Sequence, residues 1–234
     1  MGSAAQDIVF VPGLLCTGDL FAAQIAHFGK NHRCFIADHT TADTLEGIAR
    51  SILDSAPQQF ALAGLSMGGY IAFEIMRQAP ARVAKLALIN TQARPDTAEA
   101  TTRRQGLIAR ASNGEYRAVL DEMFPGLVHP SRQGDVVLRQ LARDMGDDVG
   151  PEAFIRQQTA VIGRPDSRPT LAWIKCPTLV LTGDQDNTIP NALSMEMASG
   201  IPGAKLVVLP NCGHLPQVEQ TQATTDALTE WLRS

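Results

Sequence analysis

The sequence predicts an α/β fold built on a mostly parallel, buried sheet. Three observations lead there. Short apolar runs recur along the 234-residue chain, helical patterns separate most of them, and the alternation is interrupted once, between about residues 95 and 170. The runs are DIVFVPG (7–13), RCFIAD (33–38), FALAG (60–64), VAKLALIN (83–90), CPTLVLTG (176–183) and AKLVVLP (204–210). Each is apolar almost throughout, which suits strands covered on both faces and not strands with one wet face.

The helical stretches between them carry their own signals. In ADTLEGIARSILDSA, Leu45, Ile48, Ile52 and Leu53 fall on one face, and Asp43 with Glu46 has the spacing of a capping box. SMGGYIAFEIMRQA follows the third strand and is stopped by Pro80. At the end of the chain, Thr224, Leu228 and Trp231 repeat at helical spacing. Strand–helix alternation of this kind predicts right-handed crossovers between parallel strands. The interruption contains amphipathic pieces (TRRQGLIARA, EYRAVLDEMF, DVVLRQLARDM) punctuated by Gly150-Pro151, Pro165 and Pro169. It reads as a helical insertion acting as a lid, so residues 1–94 and 171–234 form the core and 95–170 the lid.

Composition narrows the functional classes. A formal net charge of −4 gives no footing for nucleic acid or an anionic membrane. No apolar stretch reaches the roughly 18 residues of a membrane span, and residues 1–13 lack a basic region followed by a long apolar core. These features predict a cytoplasmic protein, a monomer or homodimer with no nucleic-acid or membrane partner. Cys16, Cys34, Cys176 and Cys212 are scattered without metal-ligand spacing and read as buried free thiols, with no bridge between Cys16 and Cys212.

Gly64-Leu65-Ser66-Met67-Gly68 matches G-x-S-x-G, and it lies where that pattern has meaning, after a strand and before a helix. A sharp strand-to-helix turn brings the positions two residues either side of the serine against neighbouring backbone, so both must be small. The turn presents the Ser66 hydroxyl at the carboxyl end of the sheet beside a helix N-terminus, where the Met67 amide can donate to a developing oxyanion. A second donor is expected from the Leu14 amide, in the Pro12-Gly13 turn after the first strand.

A nucleophilic serine needs a base. His27, His32 and His39 fall in the early helix–strand–loop stretch and read as surface residues, and His129 lies in the lid as a candidate for substrate contact. His214 follows the last strand on a Gly-containing loop, so the parallel sheet places it on the same edge as Ser66. The loop after the preceding strand, LTGDQDNTIP, offers Asp184 or Asp186 to orient the imidazole.

With these motifs in order, the chain resembles the α/β-hydrolase superfamily over nearly its whole length. Within that superfamily it is similar to pimeloyl-carrier ester hydrolases and enol-lactone hydrolases. The resemblance rests on G-L-S-M-G-G at the elbow, G-D-Q-D-x-x-x-P after the fifth strand and G-H-x-P near the C-terminus. It implies a G-x-x-D acid, which carries onto Asp186, and a sheet shortened here to six or seven strands. Pro12-Gly13 replaces the family's usual His-Gly at the first loop. The implied activity is hydrolysis of carboxylic esters of small or medium acyl chains, without cofactor or metal. Ser66 would form an acyl-enzyme, His214 would shuttle the proton, Asp186 would stabilise the imidazolium, and the Met67 and Leu14 amides would hold the oxyanion. The same triad also serves C–C bond hydrolases, lactonases, aminopeptidases and perhydrolases, and a non-catalytic binder could keep the fold.

The substrate, a small-molecule ester, would be chosen by the lid. Residues 97–169 hold ten arginines, ten acidic residues and no lysine. These read either as solvated, ion-paired helix faces or, for Arg156 and Arg164, as groups that grip an anionic substrate. Met123, Phe124, Leu127 and Val128 read either as an apolar wall for the substrate or as the lid's own packing.

Overall fold

The computed structural model describes residues 6–234 and shows six strands in one all-parallel sheet, ordered β2-β1-β3-β4-β5-β6. The reading of the chain's first residues, 1–5, lies outside the described part. The strands are β1 (Ile8–Val11), β2 (Cys34–Ile36), β3 (Phe60–Leu65), β4 (Val83–Ile89), β5 (Thr178–Gly183) and β6 (Lys205–Leu209). All six apolar runs become strands, five of them trimmed by one or two residues at an end and the third extended by one, to Leu65. The full burial of β1, β3 and β5 accounts for their unbroken hydrophobicity, while the outermost strands β2 and β6 keep partly exposed positions.

Because a strand's side chains alternate, each apolar run feeds two cores. Val9, Val11, Leu62, Leu86, Leu88 and Val180 face one layer, which includes helices α2 (Leu45–Ser55), α3 (Met67–Gln78) and α8 (Asn191–Gly200). Ile8, Phe10, Ala61, Ala63, Ile89 and Leu181 face the other, which includes α1 (Ala22–Phe28) and α10 (Thr221–Arg233). In α10, Leu228 and Trp231 are buried as their spacing predicts, each contributing on the order of 2 kcal/mol by leaving water. The N-cap of α2 is Thr44, whose hydroxyl accepts from the Gly47 amide, and not Asp43 of the expected capping box. Thr44 wins because its backbone is extended there, as a cap requires.

No strand falls between β4 and β5. The chain instead runs through α4 (Ala98–Arg110), α5 (Tyr116–Leu127), α6 (Val136–Ile162) and the short α7 (Arg168–Leu171). At Gly150 the backbone takes φ 74°, which breaks α6 just before Pro151. Tyr116, Val119, Leu120 and Phe154 form a small core of their own with Leu15, from the loop after β1. A final short helix, α9 (Pro216–Glu219), precedes α10. The four cysteines are free, with Cys16 and Cys212 buried and Cys34 and Cys176 only partly so. No helix among the described residues is long and apolar enough to cross a membrane.

Successive strands run outward from β1 in opposite directions, β2 to one side and β3 to the other. A crevice opens where the order reverses, at the carboxyl ends of β1 and β3. Pro12-Gly13-Leu14 leaves one of those ends and Ser66 the other.

Candidate active site

Ser66 sits between the last residue of β3 and the first of α3, with φ 52° and ψ −113°. A non-glycine residue there is strained, and four contacts hold it in place. Its amide donates to the Ile89 carbonyl at 2.9 Å, and its carbonyl accepts from the Gly69 and Tyr70 amides and from the Thr91 hydroxyl at 2.7 Å. The glycines are explained by close approach. A Cβ on Gly64 would overlap the Gly68 carbonyl, and one on Gly68 would overlap the Val11 carbonyl.

His214 is 3% exposed, and its Nδ1–H donates to Asp186 Oδ2 at 2.7 Å. That bond leaves Nε2 of the neutral ring with its lone pair free, the state a general base requires. The other oxygen of Asp186 accepts from the Thr188 and Ile189 amides at 2.8 and 3.0 Å, so the carboxylate is held from both sides. Asp184, the alternative, is exposed and instead accepts from the Cys212 amide at 3.1 Å. Ser66 and His214 line one cavity of about 580 Å³, together with Gly13, Leu14 and Met67.

The Met67 amide lies at the N-terminus of α3, where helix N–H groups lack intrahelical partners. The Leu14 amide is oriented indirectly. His39 Nε2–H donates to the Gly13 carbonyl at 2.9 Å, and the Cys16 amide donates to the same oxygen at 3.0 Å. In a trans peptide the C=O and N–H point opposite ways, so fixing the Gly13 carbonyl fixes the Leu14 N–H. The next residue, Leu15, has φ 62° and donates its amide to Gln157 Oε1 at 3.1 Å. His39 is therefore not a surface residue: it is 3% exposed, and burial lowers its pKa below the usual histidine value.

Glu219 is another residue that motif reading passes over. Its buried carboxylate accepts from the backbone amides of His129, Gly213 and Leu215 at 2.6, 3.1 and 3.2 Å. Burial raises its pKa, although the three N–H donors oppose that shift. Asn90 braces the same loop by donating to the Gly213 carbonyl at 3.0 Å while accepting from the Gly183 amide at 2.9 Å. The only sequence signals for these residues are a glutamate a few positions after Gly213-His214 and an asparagine directly after a buried strand.

Of Arg156, Arg164, His129 and Phe124, each a candidate for substrate contact, only Arg164 lines the cavity. Arg156 donates instead to the Thr40 carbonyl at 2.7 Å and braces the loop after β2. His129 is buried, with Nδ1 2.7 Å from the Ser131 hydroxyl in a capped turn. Phe124 is buried beneath Arg139, whose guanidinium lies 4.6 Å from its ring centre, and serves the packing of α5. Met123 and Leu127 do reach the cavity, whereas Val128 is in the core. Arg103 and Arg104 line the cavity as well, and no motif singled them out.

Residues 8–227 match the model of the alpha/beta hydrolase family. The chain belongs to that family. Among related α/β hydrolases, the pimeloyl-[acyl-carrier protein] methyl ester esterase of Nitrosomonas europaea is 27% identical over 80% of this chain and 77% of its own. A thermophilic esterase from Thermogutta terrifontis, solved with malate bound, superposes with a TM-score of 0.89 at 30% identity, covering 99% of this chain and 90% of that one. The enol-lactonase of Burkholderia xenovorans LB400 shares the fold, with a TM-score of 0.86 at 24% identity over 99% and 93% of the two chains.

Proposed function

We propose that this α/β hydrolase cleaves carboxylic esters of small or medium acyl chains through an acyl-enzyme on Ser66. The observation that carries the reading is the strained Ser66 elbow sharing one cavity with a His214 whose Nδ1 is held 2.7 Å from a buried Asp186. Ser66 Oγ attacks the ester carbonyl as His214 Nε2 takes its proton, and the carbonyl oxygen becomes an oxyanion held by the Met67 and Leu14 amides. Collapse of the tetrahedral species breaks the bond to the alkoxy group, which leaves with the proton from His214. Water then attacks the acyl-enzyme by the same route in reverse, releasing the acid and restoring Ser66. Asp186 stays ionised and stabilises the imidazolium.

Residues 95–170 act as a lid whose helices supply the far wall of the cavity. The two esterases to which the chain is similar support an ester substrate.

Turnover of p-nitrophenyl esters of graded chain length tests the reading. The expected result is hydrolysis of the short and medium esters, lost by at least ~10³-fold in Ser66→Ala. A phosphonate should label the wild-type protein once and the variant not at all. Equal turnover by both proteins would overturn the role of Ser66. Labelling of Ser66 without ester hydrolysis would move the activity to the C–C or lactone substrates that the same triad serves.

A further inference from the structure

We propose that the wall of the cavity formed by α4 is a carboxylate-binding subsite built on Arg103 and Arg104, so that the preferred ester carries a carboxylate. The proposal rests on the hydrolase reading above and names the substrate class of that site.

The pattern of α4 is the first support. Ala100, Arg103, Arg104 and Leu107 stand at the spacing of one helix face, and all four line the cavity. An amphipathic helix ordinarily keeps that face apolar, yet here two of the four positions are arginine.

The charge balance is the second. Six charged side chains line the cavity: Arg94, Arg103, Arg104, Arg164, Asp96 and Glu122. Arg94 is matched by Glu196 at 2.8 Å, and Glu122 by Arg110 at 2.5 Å, both partners lying outside the lining. Arg104 and Arg164 share Asp96, at 3.0 and 2.5 Å, and one carboxylate balances only one of them. Arg103 makes no ion pair among the described residues. Arg110 is itself shared with Glu115 at 3.1 Å, so, counting that outer carboxylate, these arginines carry a surplus of one positive charge.

Their surroundings make that surplus consequential. The side chains of Asp96 and Arg164 are 3% and 4% exposed, and that of Arg104 18%. An uncompensated charge in such a place is costly, and burial pushes the Arg104 pKa down accordingly. The group is also held in one geometry. Arg104 Nη1 donates to Gln158 Oε1 at 2.7 Å, and Arg164 lies 4.5 Å from the centre of the Tyr70 ring while donating to the Arg94 and Val161 carbonyls. What remains free is the Arg103 fork and Nη2 of Arg104, which has no protein acceptor among the described residues. A guanidinium fork offers two parallel N–H donors, the number a single carboxylate takes. An anion there would restore neutrality with donors already in place.

Paired substrates of equal shape test this. One pair is monomethyl adipate and its amide isostere, with the charge on the acyl side. The other is butanoyloxyacetate and its amide, with the charge on the alcohol side. The wild type is expected to prefer the carboxylate member of at least one pair by about tenfold or more in kcat/KM, and added salt should weaken the preference. Arg103→Met, at an exposed position, should lower that ratio about tenfold, and Arg103→Glu should take it below one. Calorimetric binding of the same pairs to the Ser66→Ala protein should show the same order. That measurement needs no turnover, so a failure of the ester-hydrolase reading is distinguishable from a failure of the subsite. A ratio of one or less in both pairs, or a ratio insensitive to Arg103, would overturn the proposal.

Discussion

Along the carboxyl edge of the sheet, the groups proposed for the chemistry are held largely by backbone. Ser66 is bonded through its own amide and carbonyl, Asp186 is fixed by two amides, and the His214 loop is tied down by a carboxylate that collects three N–H groups. In the helical segment between β4 and β5, the notable groups are held by one another. Arg104 and Arg164 converge on Asp96, and Arg110 spans Glu115 and Glu122. The first kind of site tolerates little change, because backbone cannot be traded residue by residue. The second can be rewritten by exchanging a few side chains, so on the proposed reading the reaction and its specificity are stored in different materials.

The sharpest way to break this contrast is at the acid. Asp186→Asn should lower kcat by on the order of 10⁴-fold, because an amide at Oδ2 selects the wrong imidazole tautomer. Asp184→Asn should cost less than tenfold, since its carbonyl oxygen can still accept from the Cys212 amide. Steady-state kinetics of the two variants decide the matter, and equal losses would mean that the acid is misassigned.

In the helical segment the corresponding variant acts on stability first. Asp96→Asn leaves Arg104 and Arg164 without counter-charge at a cost of about 3 kcal/mol, read as a fall in Tm of about 6–12 °C. Millimolar adipate should return part of that loss, and more of it than in the wild type. A Tm equal to that of the wild type would show that the cluster is not electrostatically stressed.

The smallest effect is expected at His39, which acts on the reaction through a peptide plane. His39→Gln should lower kcat several-fold with little change in KM, as expected for a residue that orients an oxyanion donor. Its pH signature follows from the lowered pKa. The unfolded chain binds a proton at this histidine more readily than the folded one, so the neutral ring's stabilisation is complete above about pH 6.5 and is lost as pH falls below it. The stability advantage of wild type over His39→Gln should shrink in that direction. Denaturant melts between pH 5 and 8 would show it.

The same division explains what could be read from the amino acids in advance. The strands, the elbow and the order of Ser66, Asp186 and His214 were legible because each depends on residues adjacent in the chain: an apolar run, two glycines two positions from a serine, a loop after a strand. The helical nature of the segment after β4 was legible for the same reason. Arg156 and His129 were misplaced because an arginine or histidine looks alike whether it binds substrate or a carbonyl 116 residues away, as Arg156 does. His39 was misread as exposed because its partner, the Gly13 carbonyl, comes from a different strand's loop. Arg103 and Arg104 stand out only once their neighbours' charges have been paired off, which is a property of the folded molecule.

The Glu219 carboxylate has a mechanical implication as well. It bonds to amides on both the His214 loop and His129, and the His214 amide itself reaches the Leu127 carbonyl at the end of α5. The end of α5 and the loop bearing the imidazole are thereby riveted into one body. A displacement of the end of α5 would therefore disturb the loop that bears His214, whereas α4 shares no hydrogen bond with that loop among the described residues.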